Sequence, residues 1–452
     1  MTIRAVLWNR WDTVRNSYWF VPLLMTLGAV ALSFVTLEID RWFAGPLGDA
    51  GWLYTGSAQG ARSVLQTIAT SMIGVAGVVF SITTVTLTLA AKQFGPRIFR
   101  NFMRDTGTQV VLGTFISTFI YCLLVLRQVR GQDSQVEQFV PQASMLAAVL
   151  FAGASLCVLI FFIHHVAAKI QTPNVIAAVA EDLVASVRAL YPEDIGGRAD
   201  GEEDDARLRA LIPKAFEDEA VPVESDSTGY VRQIEANALL AAARECDVTV
   251  RVERRPGEFV TAGDALIRVW PPDRVNDDLR SRVQTAFILG AQRTPVQDVT
   301  FPVGQLVEIA TLALSPGIND LATAEMCVDR LGQGLCLFAG RRVPSAYRED
   351  EDGRLRVIAP PVDLVLLLDS ALDPIRLNGR TQQTIMVRLL DALAAVAARA
   401  RQPEDRAAVL SHALLVHDQA SACAASEHDR KKLERALSRV RRACTAGPVR
   451  PK

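Results

Sequence analysis

The chain has 452 residues, enough for two to four domains, and half of its residues are hydrophobic while 21 % are charged. Its formal net charge is −1, so the chain as a whole gives no electrostatic reason to expect nucleic acid binding. The apolar residues are concentrated before His164, which predicts a membrane-embedded first half and a soluble second half. Seven scattered cysteines lack zinc-site or Cys-x-x-Cys spacing, so no metal or other cofactor is expected.

Four stretches of the first half are long and apolar enough to cross a bilayer, at about residues 20–37, 63–91, 110–126 and 139–163. The first follows basic residues and tryptophans, is longer than a signal-peptide core and is interpreted as an uncleaved anchor. Lysines and arginines are concentrated before the first stretch and between the second and third. Because cytoplasmic loops hold the excess of positive charge, we expect a multi-pass protein of the bacterial inner membrane with both termini in the cytoplasm.

The second stretch carries the most distinctive pattern of the membrane half. Its 29 residues from Ser63 to Ala91 include no charged side chain, and a helix of that length is about 43 Å long, against roughly 30 Å for the hydrocarbon core. Eight small or hydroxylated residues fall within an arc of about 100°, namely Ser63, Thr67, Thr70, Gly74, Gly77, Ser81, Thr84 and Thr88. This face is expected to pack against another helix, to line an aqueous path in an oligomer, or to bond its hydroxyls back to its own carbonyls.

A basic turn follows this helix. Gly95 and Pro96 are expected to end it, and Arg97, Arg100 and Arg104 alternate with phenylalanines beyond them. We interpret these arginines as an anchor in the inner headgroup layer or, alternatively, as a ring at a pore mouth that attracts anions. No ionisable residue lies in the middle of any span, which argues against a proton-coupled pump or carrier and leaves a passive pore open.

The domains of the second half are expected to follow one another along the chain. After the membrane domain of residues 1–172 come a helix with an acidic linker, a small β-rich module, a helical segment and a C-terminal helical domain, over residues 173–220, 221–275, 276–345 and 346–452. Alternating valines and the turn glycines Gly257 and Gly263 indicate short strands in the β-rich module.

This glycine-spaced run resembles the small barrel of biotinyl and lipoyl domains. Prolines stand where those domains carry their modified lysine, so no attached cofactor is expected. The predicted fold class is therefore a four-helix membrane protein with a cytoplasmic α+β region, which contains a small β-barrel-like module and a helical C-terminal domain.

Polar residues cluster before and after one helix of the 276–345 segment. The run Ser315-Pro316-Gly317-Ile318-Asn319-Asp320 combines a helix break with residues that can cap the next helix. It is interpreted as an ordinary helix-turn-helix corner or as a ligand or subunit contact. The candidate contact residues are Arg293, Gln297, Asp298, Ser315, Asn319, Asp320 and Thr323.

The last predicted helix combines an apolar stripe with a basic surface. Leu433, Leu437 and Val440 form the stripe, and basic residues between positions 430 and 435 cover much of the rest. We interpret the basic surface as solvated, with contact to anionic lipid or nucleic acid as the alternative.

Several short motifs resemble a family of bacterial predicted membrane proteins catalogued as domain of unknown function 2254. They are Phe80-Ser81-Ile82, Gln93-Phe94-Gly95-Pro96-Arg97, Gly113-Thr114-Phe115, Arg293-Thr294-Pro295-Val296-Gln297-Asp298 and, most specifically, Ala313-Leu314-Ser315-Pro316-Gly317-Ile318-Asn319-Asp320 with Thr323-Ala324. The resemblance covers nearly the whole chain. It implies an inner-membrane protein of the same layout and brings no catalytic residue with it.

Two functions fit these patterns. The first is a homo-oligomeric channel or pore that is lined by the second span and regulated or assembled by the cytoplasmic region. The second is a membrane-anchored scaffold or ligand-binding protein without transport activity. The usual hydrolase, metalloprotease and P-loop signatures are missing, so an enzyme is not expected and Asp298 and Asp320 are the only carboxylates worth testing. The expected partners are the lipid bilayer, further copies of the chain, and ions or a small cytoplasmic ligand, without nucleic acid.

Overall fold

The computed structural model describes residues 19–42, 57–94, 105–131, 139–169, 171–191 and 202–446. Contacts between residues divide the chain into two compact units, Met1–Asn174 and Val175–Lys452. Arg97, Arg100 and Arg104, the predicted basic ring, lie outside the described residues.

The first unit contains four long helices, α1 (Phe20–Trp42), α2 (Ala58–Phe94), α3 (Thr106–Leu126) and α4 (Gln142–Lys169). Each is long and apolar enough to cross a membrane, which confirms the four candidate spans expected from the sequence. All four helices extend beyond at least one end of the apolar stretch that predicts them, because residues at their ends continue the backbone hydrogen bonding. Helix α2 has 37 residues and is therefore about 55 Å long.

Helix α3 is the centre of this unit and packs against each of the other three helices. Half of its apolar span is buried inside the unit, compared with 17 % or less for the others. One cluster of buried side chains surrounds Tyr121 and another includes Phe115, and both clusters contain residues of α2 and α4. The side of α2 that faces α3 is therefore its packing side.

Two carboxylates with little solvent exposure connect the helix ends. Asp40, near the end of α1, accepts hydrogen bonds from the backbone N–H groups of Ala143 (2.7 Å) and Ser144 (3.0 Å) and from the Ser144 hydroxyl (2.6 Å). It thereby caps the first turn of α4. Asp105 is the N-cap residue of α3 and lies 2.8 Å from Nε2 of His165, near the end of α4. Both contacts join α4 to a neighbouring helix.

Most of α5 (Thr172–Leu190) belongs to the second unit, whose strands are β1 (Val221–Glu224), β2 (Gly229–Ile234), β3 (Thr249–Val252), β4 (Phe259–Val260), β5 (Ala265–Trp270), β6 (Phe287–Gly290), β7 (Tyr347–Glu349) and β8 (Leu355–Ile358). The helices among and after the strands are α6 (Glu202–Ala210), α7 (Phe216–Glu219), α8 (Ala236–Glu245), α9 (Asp277–Ala286), α10 (Thr300–Ala313), α11 (Leu321–Ala339), α12 (Leu364–Asn378), α13 (Gln383–Ala397), α14 (Pro403–Cys423) and α15 (Glu427–Ala446).

These strands form two open sheets, with the orders β1-β5-β3-β8-β7 and β4-β2-β6. The predicted β-barrel-like module is therefore wrong. The strands between residues 221 and 275 divide between the two sheets, and no pairing among the described residues closes either sheet. The larger sheet also takes β7 and β8 from residues 347–358, with β8 parallel to β3. An alternating pattern identifies a strand but carries no information on such a distant partner.

An ion-pair network connects β8 to Asp247, two residues before β3. The buried Arg356 contacts Asp350 (Nε to Oδ2, 2.6 Å) and Asp247 (Nη1 to Oδ1, 2.8 Å). Asp247 has a φ of 52°, a region that Asp and Asn adopt more readily than other side chains, and it is also paired with Arg274. Hydrogen bonds from Arg356 and then Arg274 lower the pKa of Asp247 to about 2.

The last six helices form a bundle in which α13 packs against α11, α14 and α15, while α10 packs against α11 and α12. Amphipathic spacing explains the arrangement, because each helix turns its apolar stripe inward. On α15 this stripe includes Leu433, Leu437 and Val440, as the sequence pattern indicates. The remainder of α15 is left for solvent or a partner.

Candidate functional site

The polar stripe of α2 lies on the outside of the first unit. All eight of its residues, from Ser63 to Thr88, are exposed. The buried residues of the same helix are Ala58, Ala61, Leu65, Ala69, Ala76 and Val79. At about 100° per residue the buried set is centred roughly 150° away from the stripe, so the two faces are nearly opposite. The helices described here therefore leave the stripe uncovered.

The threonines of the stripe are partly satisfied by their own helix. Thr67 donates its hydroxyl to the carbonyl of Ser63 (2.7 Å), Thr84 to Phe80 (2.9 Å) and Thr88 to Thr84 (2.9 Å). The hydroxyls of Ser63, Thr70 and Ser81 have no hydrogen-bond partner within the described part of the chain. A Cβ added at Gly74 or Gly77 would meet nothing within 4 Å, so this stretch is open to close approach.

In the second unit, Arg293 and Asp298 form an ion pair. The Arg293 guanidinium contacts Oδ2 of Asp298 through Nε (2.9 Å) and Nη2 (2.6 Å). Oδ1 accepts from the backbone N–H (3.0 Å) and the hydroxyl (2.7 Å) of Thr300. The Asp298 side chain is only 2 % exposed. Both carboxylate oxygens of Asp298 thus accept hydrogen bonds at the start of α10. This is typical of a structural ion pair and not of a carboxylate that is free to bind a ligand.

A glycine that the sequence analysis treated only as a turn residue makes this arrangement possible. Gly257 has a φ of +95°, and a Cβ there would lie 2.3 Å from Oδ2 of Asp298. Thr300 is a second participant that sequence reasoning missed. A positive-φ glycine between predicted strands signals a turn, but nothing in the sequence pairs it with Asp298.

Gln297 holds the same loop to strand β2. Its Oε1 accepts from the backbone N–H of Ile234 (2.9 Å), and its Nε2 donates to the carbonyl of the same residue (3.3 Å). The side-chain amide therefore acts like one residue of a neighbouring strand, and both of its polar atoms are occupied.

The corner between α10 and α11 contains the other candidates. Asp320 is the N-cap residue of α11 and accepts from the backbone N–H (3.1 Å) and the hydroxyl (2.6 Å) of Thr323. These two bonds lower its pKa. Ser315 donates its hydroxyl to the carbonyl of Leu312 (2.7 Å), and Asn319 adopts a φ of 49°. Ile318, at the tip, is 50 % exposed.

The structure does not bring the two groups of candidates together. Arg293, Gln297 and Asp298 lie before the first residue of α10, and Ser315 to Thr323 follow its last one. The helix has 14 residues, which separates its ends by about 21 Å. The described residues contain no group of three or more His, Cys, Asp and Glu side chains that could hold a metal ion. These residues therefore organise two corners of the fold instead of one pocket.

Four helices that are long and apolar enough to cross a membrane, with a second unit of helices and open sheets, place the chain in the class of predicted membrane proteins with four candidate spans and an α+β C-terminal unit. The chain belongs to the family described as Predicted membrane protein (DUF2254), whose profile matches residues 15–395.

The chain is also similar to two mycobacterial proteins. It is 30 % identical over 437 residues to Uncharacterized protein Rv1290c of Mycobacterium tuberculosis (strain ATCC 25618 / H37Rv), covering 95 % of this chain and 81 % of the relative. The same values hold for Uncharacterized protein Mb1321c of Mycobacterium bovis. No solved structure matches the chain significantly.

Proposed function

We propose that this protein assembles with further copies of itself in the membrane and that the polar stripe of α2 lines a narrow path for ions through the assembly. One observation carries the proposal. The stripe is exposed along its whole length, while the opposite side of α2 provides the contacts with α3. The packing of α2 within the described part of a single chain therefore does not explain why this face is polar and made of small residues.

The state of the hydroxyls favours water or a second copy over lipid as the neighbour of this face. A hydroxyl that is buried in hydrocarbon without a hydrogen bond is unfavourable, and Ser63, Thr70 and Ser81 have no partner among the described residues. Gly74 and Gly77, between them, offer the open surface through which membrane helices approach closely. Assembly around α2 would give these hydroxyls hydrogen-bond partners and would bring a second helix against the two glycines.

The bonded threonines also favour one sign of charge. Thr67, Thr84 and Thr88 each donate their only hydroxyl hydrogen to a carbonyl of α2. Their oxygens can then offer only lone pairs to the path. The path therefore offers acceptors at these three positions. The hydroxyls of Ser63, Thr70 and Ser81, which are unbonded within the described residues, can also turn their oxygens toward an ion, which favours cations over anions.

Flux measurements on reconstituted vesicles test this proposal. We expect the wild-type chain to release K⁺ faster than Cl⁻ and to behave as an oligomer by light scattering in detergent. Thr70→Leu combined with Ser81→Leu should lower K⁺ flux at least tenfold, because both positions lie on the stripe. Val78→Leu combined with Ile82→Leu is the matched control, since both residues are exposed on α2 but lie beside the stripe.

Two results would refute the pore. One is a purely monomeric wild-type chain, because a single α2 cannot surround an axis. The other is a K⁺ flux that both double variants leave equally unchanged. If the stripe variant loses the oligomer as well as the flux, light scattering will show that the stripe also forms the contact between copies.

The proposal places the protein in the bacterial inner membrane with both termini in the cytoplasm. Four basic residues lie between positions 92 and 104, whereas Arg41 is the only one between positions 40 and 60. The positive-inside rule then sets the orientation. A green fluorescent protein fused to the C-terminus should fluoresce and an alkaline phosphatase fusion should be inactive, and the reverse pattern would contradict this orientation.

A second candidate function, a membrane-anchored scaffold, rests on the exposed corner between α10 and α11. Ile318 is half exposed at its tip, on a turn that the helix cap at Asp320 fixes. A photo-crosslinker at position 318 should capture a partner in native membranes, while one at the equally exposed Leu415 should not. Equal capture at both positions, or none at 318, would contradict this function.

A further inference from the structure

The surface of α15 contains an open cavity of about 420 Å³ that the proposed pore does not use. It is lined by Glu434, Arg435, Ser438, Arg439 and Arg442. The three arginines follow one another at spacings of four and three residues, so they lie on one side of the helix, away from the buried Leu433 and Val440. The cavity therefore has three guanidinium groups and one carboxylate on its wall.

The charges of this cavity are only partly balanced by the rest of the fold. Arg439 is paired with Asp391 of α13. Neither Arg435 nor Arg442 has a carboxylate within 4.0 Å among the residues that the structure describes. The Arg439–Asp391 pair reduces the repulsion along this side of the helix but leaves the charges of Arg435 and Arg442 without a compensating carboxylate in the described part of the chain. Favourable charge at a helix C-terminus does not explain these arginines, because the last turn of α15 contains no basic residue.

We propose that this cavity binds a phosphate group, which is carried either by an anionic phospholipid headgroup or by a soluble phosphoester. Guanidinium groups present two parallel N–H donors that match the oxygens of a phosphate. Arg435 and Arg442 lie two turns apart, about 10.5 Å along the helix axis, with Arg439 between them, so their long side chains can reach a single phosphate placed above Arg439. The Ser438 hydroxyl donates to the carbonyl of Glu434 (2.8 Å), and Nε of Arg442 donates to the carbonyl of Ser438 (3.4 Å). The donors left for a phosphate are therefore the guanidinium of Arg435 and the Nη groups of Arg442.

The test uses the full chain in mixed micelles of an uncharged detergent and phosphatidylcholine. Inorganic phosphate should raise the thermal unfolding midpoint by about 3–5 °C at ten times its dissociation constant, relative to sodium chloride of equal ionic strength. Arg435→Gln combined with Arg442→Gln should weaken phosphate binding at least tenfold and leave the Arg439–Asp391 pair intact. Glu434→Gln should strengthen binding, because it removes the carboxylate that repels the anion.

The matched control is Lys432→Gln combined with Arg441→Gln. It removes two exposed charges from the same helix but leaves the cavity unchanged, so the phosphate-dependent shift should persist. Comparing shifts rather than absolute midpoints keeps the test valid even where a variant is less stable.

A second set of micelles, with phosphatidylglycerol, distinguishes the two sources. If headgroups occupy the cavity, the midpoint is already raised and phosphate adds nothing; if soluble phosphoesters are the ligand, phosphate acts equally in both micelles. Either outcome supports the site. Three outcomes overturn it: no stabilisation by phosphate or phosphatidylglycerol, an equal loss of the shift in both double variants, or stabilisation by a DNA duplex alone.

Discussion

Replacing Asp298 separates a structural role of this carboxylate from a role in binding or catalysis. Asp298→Ala removes the acceptor for two bonds from Arg293 and two from Thr300, at a position that is nearly inaccessible to solvent. Breaking a buried ion pair by deleting one partner costs about 3–5 kcal/mol, since it leaves the other charge uncompensated. We take about 3 kcal/mol, because the Arg293 side chain keeps 24 % of its exposure.

Native-state hydrogen exchange of the α10 amides measures this loss directly. A loss of about 3 kcal/mol in the opening free energy speeds exchange by about 150-fold, at a factor of ten per 1.4 kcal/mol. Asp329→Ala is the control, because its two 2.6 Å contacts with Arg388 are exposed. An exposed pair of this kind contributes about 1 kcal/mol or less.

The reasoning is refuted if Asp298→Ala leaves exchange in α10 unchanged or slows it. A carboxylate that is held in place for a ligand is commonly neutral or destabilising for the fold, so its removal would not speed exchange. Asp298→Asn should fall between wild type and the alanine variant, since the amide can still accept from Thr300 but turns an N–H group toward Arg293.

Three further predictions concern other parts of the fold. Gly257→Ala should destabilise the second unit by more than about 2 kcal/mol in chemical unfolding, because its Cβ would clash with Asp298. Gly263→Ala is the control: its φ is similar but the space around it is open, so it should cost only the roughly 1–2 kcal/mol of backbone strain. Equal losses of stability in the two variants would contradict the contact between Gly257 and the carboxylate. Asp40→Ala should lower the resistance of the first unit to unfolding by sodium dodecyl sulfate by about 2 kcal/mol, and Glu38→Ala, on the exposed side of the same helix, should not. The pKa of Asp247 is about 2 in the folded protein, below its ordinary 3.8, so its contribution to stability is complete above about pH 4 and is lost as the pH falls toward 2. In the Asp247→Asn variant, the free energy of unfolding should fall less steeply between about pH 4 and pH 2 than in the wild type. An unchanged pH dependence would contradict the lowered pKa of Asp247.

The outward position of the α2 stripe changes how the family motifs are interpreted. Ser81, within the motif Phe80-Ser81-Ile82, lies on the exposed stripe and faces away from the described helices, and the neighbouring Phe80 is half exposed. In contrast, the motif that ends at Asp298 and the one that ends at Asp320 fix loop geometry through internal hydrogen bonds. Of these motifs, the one on α2 therefore has the polar groups most available to an ion or a second copy.

The sequence by itself determined the local features of this protein. Charge-free length identified the four candidate spans, because a bilayer imposes that length on any helix that crosses it. The helix break at Pro316-Gly317 and the helix cap at Asp320 could also be predicted from the sequence, because both act within one turn of backbone.

Tertiary structure alone decided which surfaces and charges are used. It placed the buried side of α2 against α3, joined β8 to β3, and occupied both oxygens of Asp298 with Arg293 and Thr300. These outcomes depend on contacts between residues that are distant in sequence or on the precise fold of a loop. Periodicity records which face of a helix or strand is apolar or polar, but it does not record what that face meets.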